Sequence, residues 1–341
     1  MGNLSAQSAA RALDESHSSV RHVLALQREL TPNVMTWPDV LGTALSFDEA
    51  GKASLVVYVD REGDSAAAVI RALPPERDGV PVEVHLTDKF RAYGNTALQI
   101  APIQLGTSGG WSKDLANGYC CGGTLGSLIQ VNGTQYLLSN YHVLESDIVA
   151  GGNGVISATG DPVIQPGLID VGCNAASAQS VGTLIKIASL PGSNFDCAVA
   201  QANAGMVDSS GAILGIGTIS AKTTGAKFRQ AVKKSGRTTG LTRSKISGLN
   251  ATISVVYENE CAGGTAFTKT FTGQIVVSNS RNAFLNSGDS GSLLVEDAPT
   301  NPRAIGLLFA GSSTSAIANP IGPVLQYIGG KLGGSATMVG R

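Results

Sequence analysis

The spacing of apolar and polar positions changes character near residue 95. Before it, residues 19–30 carry Val20, Val23, Leu24 and Leu26 among arginines and glutamines, the spacing of a short amphipathic helix. Pro32 is expected to end that helix. Residues 41–47 and 53–58 read as strands separated by a glycine-containing turn, and Val56-Val57-Tyr58-Val59 is a strong buried-strand signal. Asp64-Ser65 offers an N-cap to an alanine-rich helix over 66–73, which Pro74-Pro75 stops. Residues 82–86 alternate apolar and polar and predict another strand. A polar tail over 1–18 followed by a small α/β unit over 19–95 is the expectation for this part. After residue 95 helical spacing nearly disappears until the C-terminus. Short strands recur between Gly, Asn, Ser and Thr clusters. Segments 126–131 and 134–138 flank Asn132-Gly133, a strong hairpin signal. Further strands are predicted at 181–188, 197–201, 228–234, 244–257, 267–277, 291–296 and 304–309, and a helix over 320–332 with Ile321, Val324, Leu325 and Ile328 on one face. The second part, 96–341, therefore predicts a closed or sandwiched all-β body.

Composition supports this reading and removes several functions. Of 341 residues 43% are hydrophobic, enough for a buried core, and the 43 glycines suit a protein with many tight turns. The formal net charge is −1 with no long basic run, so there is no electrostatic footprint for nucleic acid. No apolar run reaches transmembrane length. The first thirty residues lack the apolar middle of a secretory signal. Gly2 would suit myristoylation, but Ala6 stands where Ser or Thr is wanted. Five cysteines, Cys120, Cys121, Cys173, Cys197 and Cys261, an odd count without a signal, predict reduced thiols in the cytoplasm. Their spacing supports no metal site, and no cofactor is implied.

Chemistry concentrates in Asn286-Ser287-Gly288-Asp289-Ser290-Gly291-Ser292. This run presents the Ser290 hydroxyl between glycines, whose backbone freedom permits a sharp turn. Alone it is also an ordinary polar turn. A nucleophilic serine needs a base and an orienting acid. Of four histidines, His142 follows the second strand of the Asn132-Gly133 hairpin, a rigid position, although a strand-capping histidine fits there too. His85 reads as a plain exposed histidine, and His17 and His22 have no convincing partners. Asp196 lies between Phe195 and the apolar run from Cys197 to Ala200, where a carboxylate needs a donor. It reads equally as a turn aspartate bonding its own backbone. The three occur in the order His, Asp, Ser, separated by 54 and 94 residues.

That order is the one found in chymotrypsin-type triads. Ser139-Asn140-Tyr141-His142, Phe195-Asp196-Cys197-Ala198-Val199 and Gly288-Asp289-Ser290-Gly291-Ser292 resemble the three motifs of trypsin-like serine proteases. Lys234-Ser235-Gly236-Arg237-Thr238-Thr239-Gly240 and the segment from Ala318 to Leu325 resemble bacterial trypsin-like peptidases. The N-terminal unit is similar to the extension of some bacterial members and of the plant narrow-leaf proteins. The resemblance implies a mainly β fold: a double antiparallel β-barrel of chymotrypsin type, with barrels at about 98–205 and 225–317, a small N-terminal α/β domain and a C-terminal helix. It implies a serine endopeptidase acting on polypeptides, with His142, Asp196 and Ser290 catalytic, and the backbone N–H groups of Gly288 and Ser290 as oxyanion hole. Phe284, Phe309 and Gly311 would line the primary pocket, with Phe284 reading equally as ordinary core. Secreted members pair the aspartate before the serine with a freed N-terminus. No activation sequence is evident here, so Asp289 is expected to find another partner. Val143, where a cysteine would close a histidine-loop disulfide, fits a reducing compartment. A catalytically silent or gated binding scaffold on the same fold is the rival reading, and homo-oligomers are left open.

Gly106-Thr107-Ser108-Gly109-Gly110 matches the nucleophile elbow of α/β-hydrolases, but that elbow needs a strand before it and a helix after it. Here it leads into all-β sequence. Gly215-Ile216-Gly217 reads as a turn.

Overall fold

The computed structural model describes residues 16–47, 51–61, 63–87, 95–116, 119–145, 155–257, 267–280 and 283–341. The expected tail over its first fifteen residues and Cys261 lie outside the described residues. The chain forms two compact units, Met1–Ala92 and Tyr93–Arg341.

In the first unit α1 (Ser18–Val34) is followed by β1 (Val40–Phe47), β2 (Ala53–Asp60), α2 (Ala66–Ala72), β3 (Glu76–Arg77) and β4 (Val80–Thr87). The strands form one sheet in the order β1-β2-β4-β3. β2 and β4 are parallel, joined through α2, and the other pairs are antiparallel. Val23 and Leu26 of α1 pack on Ala53, Leu55 and Val80, as their spacing predicts. Pro32 does not end α1; it sits inside the last turn. So near the C-terminus its missing N–H costs only a bond that the fraying end holds weakly.

The second unit begins with β5 (Thr107–Trp111), β6 (Leu115–Ala116), β7 (Tyr119–Cys120), β8 (Gly123–Leu125), β9 (Ser127–Val131) and β10 (Thr134–Ser139). After the single-turn α3 (Tyr141–Leu144) come β11 (Pro162–Gln165), β12 (Gln179–Ile185) and β13 (Ala198–Ala202). The hydrogen-bonded order is β9-β10-β13-β12-β11-β5-β8. Because the chain runs from β8 through Gly126 straight into β9, the two ends of this sheet are one continuous strand, and the sheet curls into a six-stranded barrel. Asn132 and Gly133 both have positive φ, 49° and 83°, as a tight hairpin turn of this type requires.

The second barrel is formed by β14 (Ala231–Gly236), β15 (Gly240–Tyr257), β16 (Phe267–Ser278), β17 (Leu293–Glu296), β18 (Ala304–Gly311) and β19 (Ser315–Pro320). They close in the order β14-β15-β16-β19-β18-β17. Next, α4 (Ile321–Leu332) buries Ile321, Val324, Leu325 and Ile328, and Gly333 ends it at φ 71°. Finally β20 (Ala336–Met338) returns to pair with β9. The fold is the double antiparallel β-barrel of chymotrypsin type, with an α/β unit before it and a helix after it. Strand β5 corresponds to the Gly106–Gly110 stretch. It is buried throughout, and a Cβ on Gly109 would stand 2.4 Å from Leu125 Cγ. Small residues there admit the side chain of the neighbouring strand, which hides the alternation that marks most strands.

Candidate active site

His142 and Asp196 meet because β10 and β13 are antiparallel neighbours with Ser139 opposite Ala198. The residues that follow β10 and precede β13 therefore emerge at the same end of the barrel. Asn140 stays extended, at φ −90° and ψ 158°, before α3 begins. Its Nδ2 donates to the Asp196 carbonyl at 2.6 Å. His142 Nδ1 lies 2.6 Å from Asp196 Oδ2. The carboxylate can only accept, so Nδ1 carries the proton and a neutral ring keeps Nε2 as its basic nitrogen. Oδ1 of Asp196 accepts the Tyr141 N–H at 2.7 Å, and the His142 N–H lies 3.4 Å away. Asp196 is 0% exposed. A carboxylate buried so completely is tolerable only with this many donors. The His142 side chain keeps 27% exposure. Burial disfavours its charge most strongly, but Asp196, through charge and hydrogen bond, and Asp114 more weakly, carry its pKa above the ordinary value.

Two residues outside the three motifs that carry His142, Asp196 and Ser290 complete this pair. Tyr257, the last residue of β15, donates from Oη to Asp196 Oδ2 at 2.8 Å. Asn319 accepts the Asp196 N–H at 3.3 Å. Nothing in the spacing of the chain singles out either of them, because both come from the opposite barrel.

Ser290 sits on the turn before β17. Gly288 and Gly291 have φ of 90° and 94°, conformations that L side chains resist. A Cβ on Gly291 would stand 2.2 Å from the Thr124 carbonyl oxygen. The turn is clamped to the first barrel: Thr124 N–H donates to the Ser290 carbonyl at 2.8 Å, and Thr124 Oγ1 donates to the Gly288 carbonyl at 2.9 Å. Within the turn, the N–H groups of Asp289, Gly291 and Ser292 all have carbonyl acceptors. Among the described residues, those of Gly288 and Ser290 have none, so the turn keeps two free donors. Ser290 Oγ is directed to the Phe309 carbonyl at 3.5 Å. No hydrogen bond joins Ser290 to His142 among the described residues. Apo sites of this kind often tighten only with substrate bound.

Asp289 has the partner that its position demands. Its Oδ2 lies 3.1 Å from Lys234 Nζ, with both side chains 0% exposed. It also accepts from Thr239 Oγ1 at 2.7 Å and from the N–H groups of Thr238, Thr239 and Asn286 at 2.8, 3.1 and 2.9 Å. Burial lowers the pKa of Lys234, against the opposing pull of Asp289. Lys234 was findable in sequence: it shares the strand phase of buried Val232, and a lysine on an inward phase requires a counter-charge. Beside it, Arg237 makes a two-point contact with Asp170, at 2.7 and 2.6 Å, between the barrels.

Of the three residues expected to line a pocket, Phe284 is buried in the core of the second barrel with Val232, Ile246 and Leu294. Phe309 is buried against Tyr141, Tyr257 and Phe271. Gly311 is exposed, and a Cβ there would stand 2.6 Å from Leu285 Cδ2. The expectation of wholly reduced thiols is corrected: Cys120 and Cys173 form a disulfide. Their 53-residue separation gave no hint of it, because β7 and the turn after β11 are brought together only by the curl of the barrel. The disulfide withdraws the thiol argument for a reducing compartment. Cys197 is free and buried, and burial pushes its pKa well up. Among the described residues no cluster of His, Cys, Asp and Glu could hold a metal ion, and no helix is long and apolar enough to cross a membrane.

The strand order and the turn geometry define the class: a protein of the chymotrypsin fold. Within it, residues 179–318 match the model of the Nal1 C-terminal domain family, in keeping with the likeness to the narrow-leaf proteins. Solved structures similar to the chain are bacterial serine proteases of the same fold. A glutamic-acid-specific serine protease, described as using a histidine triad in substrate binding, shares 17% identity over 69% of this chain and 100% of its own, with a TM-score of 0.44. Thermobifida fusca protease A shares 19% over 70% and 99%, TM-score 0.43. The chymotrypsin of Cellulomonas bogoriensis shares 22% over 64% and 91%, TM-score 0.39. No curated protein sequence matches.

Proposed function

We propose that residues 96–341 form a serine endopeptidase that cleaves polypeptides through an acyl-enzyme. The observation that carries this is the 2.6 Å contact of His142 Nδ1 with buried Asp196, supported by the clamping of the Ser290 turn to the same barrel through Thr124. Ser290 Oγ attacks the peptide carbonyl while its proton passes to His142 Nε2. Asp196 holds the tautomer and stabilises the imidazolium. The carbonyl oxygen, now negative, takes the free N–H groups of Gly288 and Ser290, each worth roughly 2.7–4 kcal/mol in comparable sites. The C–N bond then breaks as His142 gives its proton to the departing amine. Water, deprotonated by the same imidazole, hydrolyses the acyl-enzyme.

In this reading Lys234 does for Asp289 what a freed N-terminus does elsewhere, so the turn is formed without proteolytic activation. Intact-mass measurement of active protein checks this, and a required N-terminal truncation would refute it. The test of the activity is a fluorophosphonate probe on wild type and Ser290→Ala. Wild type is labelled and the variant is not. Labelling that persists in the variant removes Ser290 as nucleophile. A folded wild type that resists the probe supports the second reading, a silent binding scaffold, which the Ser290 hydroxyl's direction toward Phe309 rather than His142 favours.

A further inference from the structure

The long hairpin β15–β16 extends beyond what barrel closure needs: its distal pairs run from Ile253 with Phe271 out to Tyr257 with Phe267. This extension reaches the first barrel's acid. Tyr257 Oη bonds the same oxygen of Asp196 that His142 Nδ1 uses, at 2.8 and 2.6 Å. Its ring lies edge-on to the imidazole, with centroids 5.8 Å apart. It stacks on Phe267 at 4.9 Å and 11°. Phe271 beside it packs on Phe309 at 4.8 Å, and the Phe309 carbonyl receives Ser290 Oγ. An aromatic row of the second barrel thus links the acid to the strand beneath the serine. Tyr257 is only 8% exposed, and burial first, then Asp196, hold its pKa far above the ordinary value. Its phenol therefore stays a donor across the whole working range.

We propose that Tyr257 is a positioning residue for His142, holding the Asp196 carboxylate in line and drawing off part of the negative charge that the imidazole feels. The groups facing His142 are Asp196, Tyr257 and, from the turn after β5, Asp114. Those facing Asp196 are His142, Tyr257, Glu145 at the end of α3 and the Cys197 thiol. With the phenol removed, Oδ2 carries more charge and binds the imidazolium more tightly. His142 should then hold its proton to higher pH.

The inference rests on the acyl-transfer reading of Ser290 only in its kinetic arm, so the two fail separately. The imidazole of His142 is titrated by NMR in wild type and Tyr257→Phe, with His142→Gln assigning the signal. The variant's midpoint should rise by about half a unit to one unit. The acid limb of the fluorophosphonate labelling rate should rise by the same amount. Incorporation of 3-fluorotyrosine at 257, a more acidic phenol of nearly the same shape, should move the midpoint down, and it serves if the phenylalanine variant is too unstable to titrate. A midpoint that does not move in either protein overturns the inference. A midpoint that moves in a wild-type background that no probe labels sinks the protease reading and leaves the control of His142 by Tyr257 standing.

Discussion

Asp196 and Asp289 are both fully buried, yet the molecule holds them differently. Asp196 is satisfied by backbone N–H groups, an imidazole and a phenol. Asp289 is satisfied by backbone N–H groups, a threonine hydroxyl and an ammonium. The first arrangement leaves a net charge that acts on a neighbour, and the neighbour is His142. The second cancels the charge within the protein, so the carboxylate serves as a fixed peg for the Gly288–Ser290 turn. Identical side chains at similar depth thus do opposite work: one projects its field and the other is neutralised.

Substitutions that remove only charge break the comparison most sharply. Asp196→Asn keeps the volume but favours the wrong imidazole tautomer, so the labelling rate of Ser290 should fall about 10⁴-fold, measured by stopped-time gel fluorescence. Lys234→Met should cost roughly 10²–10³-fold in the same rate, the loss expected when an oxyanion donor is misplaced. It also strands a buried carboxylate, at about 3–5 kcal/mol in denaturant unfolding. The double variant Lys234→Met/Asp289→Asn should recover much of that stability while the rate stays low. A rate that recovers with stability would mean that Asp289 does not position the turn. A smaller effect is expected from pH. The Lys234 ammonium has a pKa below the ordinary 10.5, so as pH rises through that lowered value it loses its proton and the peg loses its counter-charge. Wild-type labelling should therefore decline before pH 10.5, with a limb that Lys234→Met lacks. The smallest effect belongs to Arg303→Ala, whose pair with Glu296 lies at the surface. Neither the labelling rate nor the melting temperature should change measurably.

Much of this site could be read in the chain because its parts sit in local motifs. The Gly288–Gly291 turn, the strand before His142 and the apolar run after Asp196 are each set by neighbours in sequence. The β-rich body was legible for the same reason: alternation and Asn132-Gly133 are local signals. What could not be read is what strands from the other barrel deliver. Tyr257 is one aromatic among several at the end of a strand until the hairpin swings it to Asp196. Strand β5 is disguised because its glycines make room for Leu125 instead of presenting an apolar face. Cys120 and Cys173 are unrelated until the first sheet curls. Phe284 shows the reverse problem, since a position six residues before the serine says nothing about whether its ring faces the cleft or the core.

Strand β20 settles on β9, pairing Ala336 with Val131 and Met338 with Ile129. The chain is made from its N-terminal end, so the β9 backbone leaves the ribosome long before its last neighbour exists. Until then the first barrel carries an open strand edge, the kind of surface on which nascent chains mispair. Val131 and Ile129, buried in the finished protein, lie along that edge. The order of synthesis therefore makes Ala336–Met338 the seal of the barrel that is begun first.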